Sequence, residues 1–117
     1  MHIEELREHC IRKNGVKEGF PFGNDTLVFK VDKKIFLLIN ILAKPLQFNA
    51  KCNPDKAIQL RDTHASVKPG YHMNKTHWNT VVSNGIVPDG EICDMIDHSY
   101  DLIVKSLTKK QRTALGL

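Results

Sequence analysis

The sequence is poor in cysteine, and the cysteines it has are badly placed for cross-linking or metal binding. Cys10, Cys52 and Cys93 are odd in number, widely separated and free of any C-x-x-C spacing. This distribution argues against a disulfide framework or a zinc knuckle. It is typical of a protein from a reducing compartment.

Long apolar runs are also missing. The longest, Ile35 to Ala43, is interrupted by Asn40 and is far below the roughly 20 residues that a membrane helix needs, so it predicts a buried strand. Residues 1–15 carry charged side chains and no apolar core of a signal peptide. These absences predict a cytoplasmic protein with no membrane partner.

The common motifs of catalysis and cofactor binding are absent. Neither G-x-G-x-x-G nor G-x-x-x-x-G-K-[ST] occurs, and no serine stands in a G-x-S-x-G elbow. His72 and His77 are five residues apart, which matches no recognised pair of metal ligands. We expect a protein that is not an enzyme and that carries no catalytic residue, metal or cofactor, although an unrecognised site around a perturbed histidine stays possible in principle.

What the sequence does contain is a globular composition and an uneven charge. Its 117 residues are 41% hydrophobic and 26% charged, which predicts a single domain spanning 1–117. The net charge of +4 is concentrated in the middle, because residues 26–87 hold nine basic and three acidic side chains. Such a segment is typical of a polyanion-binding surface, but lysines that protect a sheet edge from pairing would give the same count.

Local patterns predict an α+β domain in which an antiparallel sheet is covered by helices. Helices are expected over 2–14, over 53–64 and, as a long helix, after Asp89 as its N-cap, with a short last helix opened by the capping box at Thr108 and Gln111. Strands are expected over 26–31, 35–43, 46–52 and 77–82, with 66–69 extended and 19–25 a loop. The alternation in 46–52 predicts one wet face, with Gln47, Asn49 and Lys51 toward solvent.

The most unusual stretch is Ser66 to Thr80, which combines a Pro-Gly turn, two histidines, two lysines and the only tryptophan. Together with the basic middle segment it predicts binding of a polyanion, and the excess of lysine over arginine there favours nonspecific attraction to a phosphate backbone. The candidate phosphate contacts are Lys30, Lys33, Lys34, Arg61, Lys68 and Lys75, and the candidate stacking or base-edge groups are Tyr71, His72, Asn74 and Trp78.

Two alternatives stay open for this stretch. Tyr71, His72, Asn74 and Trp78 would also suit a protein or small-molecule binding module. Alternatively, His72, Asn74, Lys75 and Trp78 could brace the turn that holds them. A helix-turn-helix formed by the last two helices is disfavoured, because Asp94, Asp97 and Asp101 would repel a duplex. The sequence does not determine the oligomeric state.

Several motifs, in order along nearly the whole chain, resemble the MmcQ/YjbR-like family. They are Phe20-Pro21-Phe22-Gly23, Val28-Phe29-Lys30-Val31, Lys51-Cys52-Asn53-Pro54, Pro69-Gly70-Tyr71-His72-Met73-Asn74-Lys75-Thr76-His77-Trp78-Asn79-Thr80 and Ile96-Asp97-His98-Ser99-Tyr100. The resemblance implies a small bacterial protein with a CyaY-like fold and a double-wing DNA-binding motif. Asp32-Lys33-Lys34 departs from the glycine that the family often has in its hairpin. Iron binding does not carry over from the CyaY-like comparison, because the first helix offers only Glu4, Glu5 and Glu8.

Overall fold

Four helices and six strands follow one another in the computed structural model, which describes residues 1–117. Their bounds are α1 Ile3–Ile11, β1 Val16–Gly19, β2 Thr26–Val31, β3 Lys34–Asn40, β4 Leu46–Lys51, α2 Pro54–Thr63, β5 Val67–Pro69, β6 Trp78–Ser83, α3 Asp89–Ser106 and α4 Lys109–Ala114. None of the helices combines the length and the apolar composition that crossing a membrane requires.

The strands form one antiparallel sheet in the order β1-β2-β3-β4-β6-β5. One face of the sheet packs against the helices, with α3 lying across β2, β3 and β4. Phe29, Phe36, Leu37, Ile39 and Phe48 fill the core between them, all at most 1% exposed. The predicted α+β architecture is confirmed, but the helices cover only one of the two faces.

Side-chain caps set several element boundaries. Asn53 Oδ1 accepts from the backbone N–H groups of Asp55 and Lys56 and starts α2, and Thr108 with Gln111 forms the predicted capping box of α4. Asn40 Oδ1 accepts from the N–H of Leu42 at 3.1 Å. Because this local turn diverts the chain, β3 ends at Asn40 and does not continue to residue 43 as predicted.

Two further predictions need correction. The first helix ends at Ile11, three residues early, and Gly15 with φ +80° turns the chain into β1, a strand that the sequence pattern did not reveal. β1 has no hydrophobic alternation, since Lys17 and Glu18 occupy its centre, and it exists because β2 offers a free edge. The cap of α3 is Pro88, with Asp89 as its first residue.

Candidate nucleic-acid interface

The face of the sheet opposite the helices, here called the outer face, carries positive charge. Strand register places Leu38, Asn49, Thr80 and Lys68 side by side across β3, β4, β6 and β5. The same alternation turns three further lysines to this face, namely Lys17, Lys30 and Lys51. No acidic side chain of a strand shares the face.

Acidic residues are concentrated in the helical layer. Apart from Glu18, Asp25 and Asp32, every aspartate and glutamate of the chain lies in a helix. Glu18 stands opposite Phe29 on the core side of the sheet, where its carboxylate accepts from Arg7 Nε at 2.8 Å. The fold therefore leaves the outer face with lysines and no strand carboxylate, whereas the helices mix acidic with basic side chains.

A small apolar cluster occupies part of the outer face. Val28, Leu38 and Trp78 are buried there, and Ile35 and Met73 pack against them. Trp78 is only 8% exposed, and Lys51 Nζ lies 5.3 Å from the centre of its ring. The indole is consequently a packing element of this face, with little surface left for the base stacking that the sequence suggested.

The loop over residues 70–77 is held over the outer face by its own polar groups. The backbone N–H of Gly70 donates to the carbonyl of Trp78 at 2.9 Å, and Lys75 Nζ donates to the carbonyl of Gly70 at 3.0 Å. Asn74 Oδ1 accepts from the N–H groups of Thr76 and His77 at 2.9 and 3.3 Å. These contacts close the loop into one conformation.

Helix α2 also secures this loop. Arg61 Nη1 donates to the carbonyl of Lys75 at 2.9 Å and to Asn79 Oδ1 at 3.3 Å. Arg61, Asn74, Lys75 and Trp78 thus have contacts within the chain that explain their presence without a ligand. For these four of the predicted residues the bracing alternative has direct structural support.

Tyr71 and His72 are exposed members of the loop whose side chains lie beside a cavity. Tyr71 is 68% exposed, and its ring lies 4.0 Å from that of His72, centre to centre. His72 adopts a left-handed backbone with φ +58°, a conformation that is uncommon for histidine and that marks a constrained position. Beside them lies a cavity of about 310 Å³, here called the sheet cavity, lined by Phe22, Thr26, Leu38, Asn40, Gln47, Phe48, Asn49, Tyr71, His72, Met73 and Thr80.

A second depression, here called the basic groove, has a volume of about 660 Å³. It is lined by Lys33, Lys34, Ile35, Lys51, Cys52, Asn53, Pro54, His77, Trp78, Leu102, Ile103 and Ser106. Lys34 Nζ donates to the carbonyl and hydroxyl of Ser106 at 3.1 and 3.0 Å, which fixes its ammonium at the end of α3. Leu38, Met73 and Trp78 pack together and separate the groove from the sheet cavity.

The hairpin tip beside this groove is fixed from below. Asp32 has φ +56° and takes the position where glycine would otherwise serve in the turn. Its carboxylate accepts from Gln111 Nε2 of α4 at 2.7 Å. Asp32 therefore anchors the tip that presents Lys33 and Lys34, and Lys33 stands where the family often has glycine.

The thiols and His98 are held in their neutral forms. Burial raises the pKa of Cys10 to about 12 and also raises the pKa values of Cys52 and Cys93, so none is a thiolate near neutral pH. Burial and nearby Lys56 lower the pKa of His98, whose Nε2 accepts from the backbone N–H of Asn53 at 3.1 Å. Nowhere does the chain gather three or more histidine, cysteine or acidic side chains in a geometry suited to a metal ion.

Comparison with known proteins places this arrangement in a family. The family model YjbR matches residues 11–102. This chain belongs to the YjbR family. The family assignment predicted from the sequence motifs is thereby confirmed.

Relatives of this YjbR family member cover most of its length. It is 31% identical to the Escherichia coli K12 protein YjbR over 115 residues, 98% of both chains, and 37% identical over 93 residues to the Escherichia coli O157:H7 protein YbdF, covering 80% and 76% of the two chains. Both relatives are uncharacterized proteins, so they support the family assignment and indicate no activity.

Solved structures resemble the YjbR family member closely. A crystal structure of the Deinococcus radiodurans protein DR2400 superposes with a TM-score of 0.92 at 38% identity, covering 97% of this chain and 87% of the other. A Pseudomonas syringae protein gives a TM-score of 0.75 at 26% identity, with coverage of 88% and 99%.

The structure places the other six predicted contact residues at three locations. Lys30 and Lys68 lie on the outer face, Lys33 and Lys34 line the basic groove, and Tyr71 and His72 line the sheet cavity. Lys17 and Lys51 were not among the predicted contact residues, nor were the cavity residues Phe22, Gln47 and Asn49. The alternation in β4 already placed Gln47, Asn49 and Lys51 on the solvent-facing side of the strand. This pattern could have identified them as members of the site.

Proposed function

We propose that this protein binds DNA through the outer face of its sheet and the adjoining basic groove, with little sequence preference. The observation that carries the proposal is the set of lysines that strand register brings together on the outer face. Lys17, Lys30, Lys51 and Lys68 face outward from strands that place no carboxylate among them. A polyanion meets a concentrated positive charge on this face and a mixture of both signs on the helical side.

The type of contact follows from the residue type. Lysine ammonium groups attract phosphate as point charges, whereas bidentate reading of a base edge favours arginine. The one arginine near the loop, Arg61, is already engaged by Lys75 and Asn79. Affinity should therefore come mainly from counterion release and depend steeply on salt.

Fluorescence anisotropy with labelled DNA at several salt concentrations tests the proposal. If five phosphates are neutralised by Lys30, Lys33, Lys34, Lys51 and Lys68, a single strand should give a slope of log K against log salt of about −3.5, and affinity should fall roughly 100-fold between 50 and 200 mM salt. Lys33→Glu and Lys68→Glu should each weaken binding and make the slope shallower.

A matched charge reversal in the other layer is the control. Arg12 is exposed at the end of α1, and Arg12→Glu changes the net charge by the same amount. It should alter binding far less than Lys68→Glu. The proposal fails if no DNA binds at low salt, or if the two reversals weaken binding equally, since a specific face is then not involved.

A further inference from the structure

The floor of the sheet cavity carries several uncharged polar side chains. Asn40 pairs with Gln47, and Asn49 with Thr80, so that two rows of amide and hydroxyl groups face outward from adjacent strands. The lining contains no aspartate, glutamate, lysine or arginine. Amides offer both hydrogen-bond donors and acceptors, which suits a neutral ligand whose edge carries both kinds of group.

Flat aromatic rings stand at the rim of this cavity. Phe22, from the loop between β1 and β2, and Tyr71, from the loop between β5 and β6, are 66% and 68% exposed. Two large aromatic side chains from different loops leave their rings in solvent beside the same cavity. Exposed rings next to a concave polar floor are the elements that hold a planar heterocycle by stacking.

Internal hydrogen bonds fix the position of Tyr71 and leave part of the floor free. The N–H of Tyr71 donates to Thr80 Oγ1 at 2.8 Å, and Asn49 Nδ2 donates to the carbonyl of Tyr71 at 3.4 Å. The Thr80 hydroxyl in turn donates to Asn49 Oδ1. Gln47 lies beside this network, and its amide takes no part in it, so it can meet a ligand.

Positive charge lies immediately next to the cavity. Lys68 is the cross-strand neighbour of Thr80, and it lines an adjoining depression of about 250 Å³ together with Gln47, Tyr71 and Thr80. A planar heterocycle in the sheet cavity that carried a phosphate would have that phosphate near the ammonium of Lys68. The uncharged floor and the aromatic rings suit the base of a nucleotide, and Lys68 suits its phosphate.

We infer that the sheet cavity takes a single unpaired base of a DNA strand, stacked against Tyr71 and hydrogen-bonded by Gln47, with its flanking phosphate at Lys68. The inference rests on the proposed function and names its substrate class, single-stranded DNA. A paired base in a duplex is already stacked on both faces and has its hydrogen-bonding edge occupied, so it cannot enter.

A strand of abasic sites distinguishes the contribution of the base to affinity from that of the phosphates. A labelled ten-nucleotide oligothymidylate should bind about 5- to 150-fold more tightly than a strand of the same length built from abasic sites. Tyr71→Ala should remove this difference without changing affinity for the abasic strand. Ile86→Ala, which removes a side chain that is also 68% exposed but lies outside the cavity, should leave both affinities unchanged.

The outcomes distinguish the two proposals. Equal affinity for the two strands, or tighter binding of a duplex, overturns the base site while leaving DNA binding through lysines intact. Failure of every strand to bind overturns both. If free thymidine monophosphate raises the melting temperature but the strands show no base dependence, the cavity is a small-molecule site and the inference is wrong.

Discussion

Gly70 controls how closely the loop over residues 70–77 approaches the sheet. A Cβ atom added there would lie 2.8 Å from Trp78 Cβ, 3.0 Å from the Trp78 carbonyl oxygen and 3.1 Å from Met73 Cβ. Ordinary contacts between carbon atoms are about 3.5 to 4.0 Å long. Because two of the three opposing atoms are a strand carbonyl and the Cβ of a buried tryptophan, the loop itself must move.

The size of the effect can be estimated from this overlap. The φ of Gly70 is not in the left-handed region, so the cost of Gly70→Ala is steric and not a matter of backbone conformation. Overpacking of this kind costs about 1 to 3 kcal/mol. In a chain of 117 residues, that corresponds to a fall in melting temperature of about 4 to 12 °C.

Thermal unfolding followed by circular dichroism measures this change. Gly90→Ala is the matched control, since nothing lies within 4 Å of a Cβ at that position on α3, and alanine in a helix should stabilise by up to about 1 kcal/mol. Because Tyr71 follows Gly70, the base-dependent part of DNA affinity should also fall in Gly70→Ala. A Gly70→Ala variant as stable as the wild type would refute the argument that close packing holds this loop.

Two further predictions concern Trp78 and His98. Trp78→Ala should cost about 3 to 5 kcal/mol in urea unfolding followed by circular dichroism, as expected for a buried tryptophan; a loss below about 1 kcal/mol would instead indicate an exposed stacking residue. Because burial lowers the pKa of folded His98 below 6.5, the unfolded chain takes up a proton first as pH falls through 6.5, and stability decreases from there downward. His98→Gln should show a smaller loss of melting temperature between pH 7.5 and 5.5, whereas His77→Gln, at an exposed position, should lose as much as the wild type; equal losses in all three would exclude His98 as the cause.

Elements with strong local signals could be predicted from the sequence. α2 begins where Asn53 and Pro54 indicated, α4 begins at the Thr108 capping box, and β2 has the predicted bounds. Each of these boundaries depends on residues within a few positions of it. β1 could not be predicted in this way, because its own residues show no hydrophobic alternation and the strand depends on its pairing with β2.

The site was harder to predict than the fold. A sequence shows that Arg61, Asn74 and Lys75 are polar, but it does not show that Arg61 reaches the Lys75 carbonyl or that Asn74 closes a turn. It shows an excess of lysine in the middle segment, but not that register brings Lys17, Lys51 and Lys68 to one face. Both facts depend on long-range pairing, which composition and spacing do not record.

The lysines of the outer face also affect the stability of β1, the edge strand of the sheet. Lys17 and Lys30 are direct cross-strand partners in β1 and β2, and like charges in this arrangement oppose pairing. The short strand β1 is therefore weakened by its own neighbour whenever the face is empty. A bound polyanion would attract both ammonium groups and offset their repulsion. Binding at the outer face should therefore reduce the fraying of β1, and fraying of β1 should in turn weaken binding.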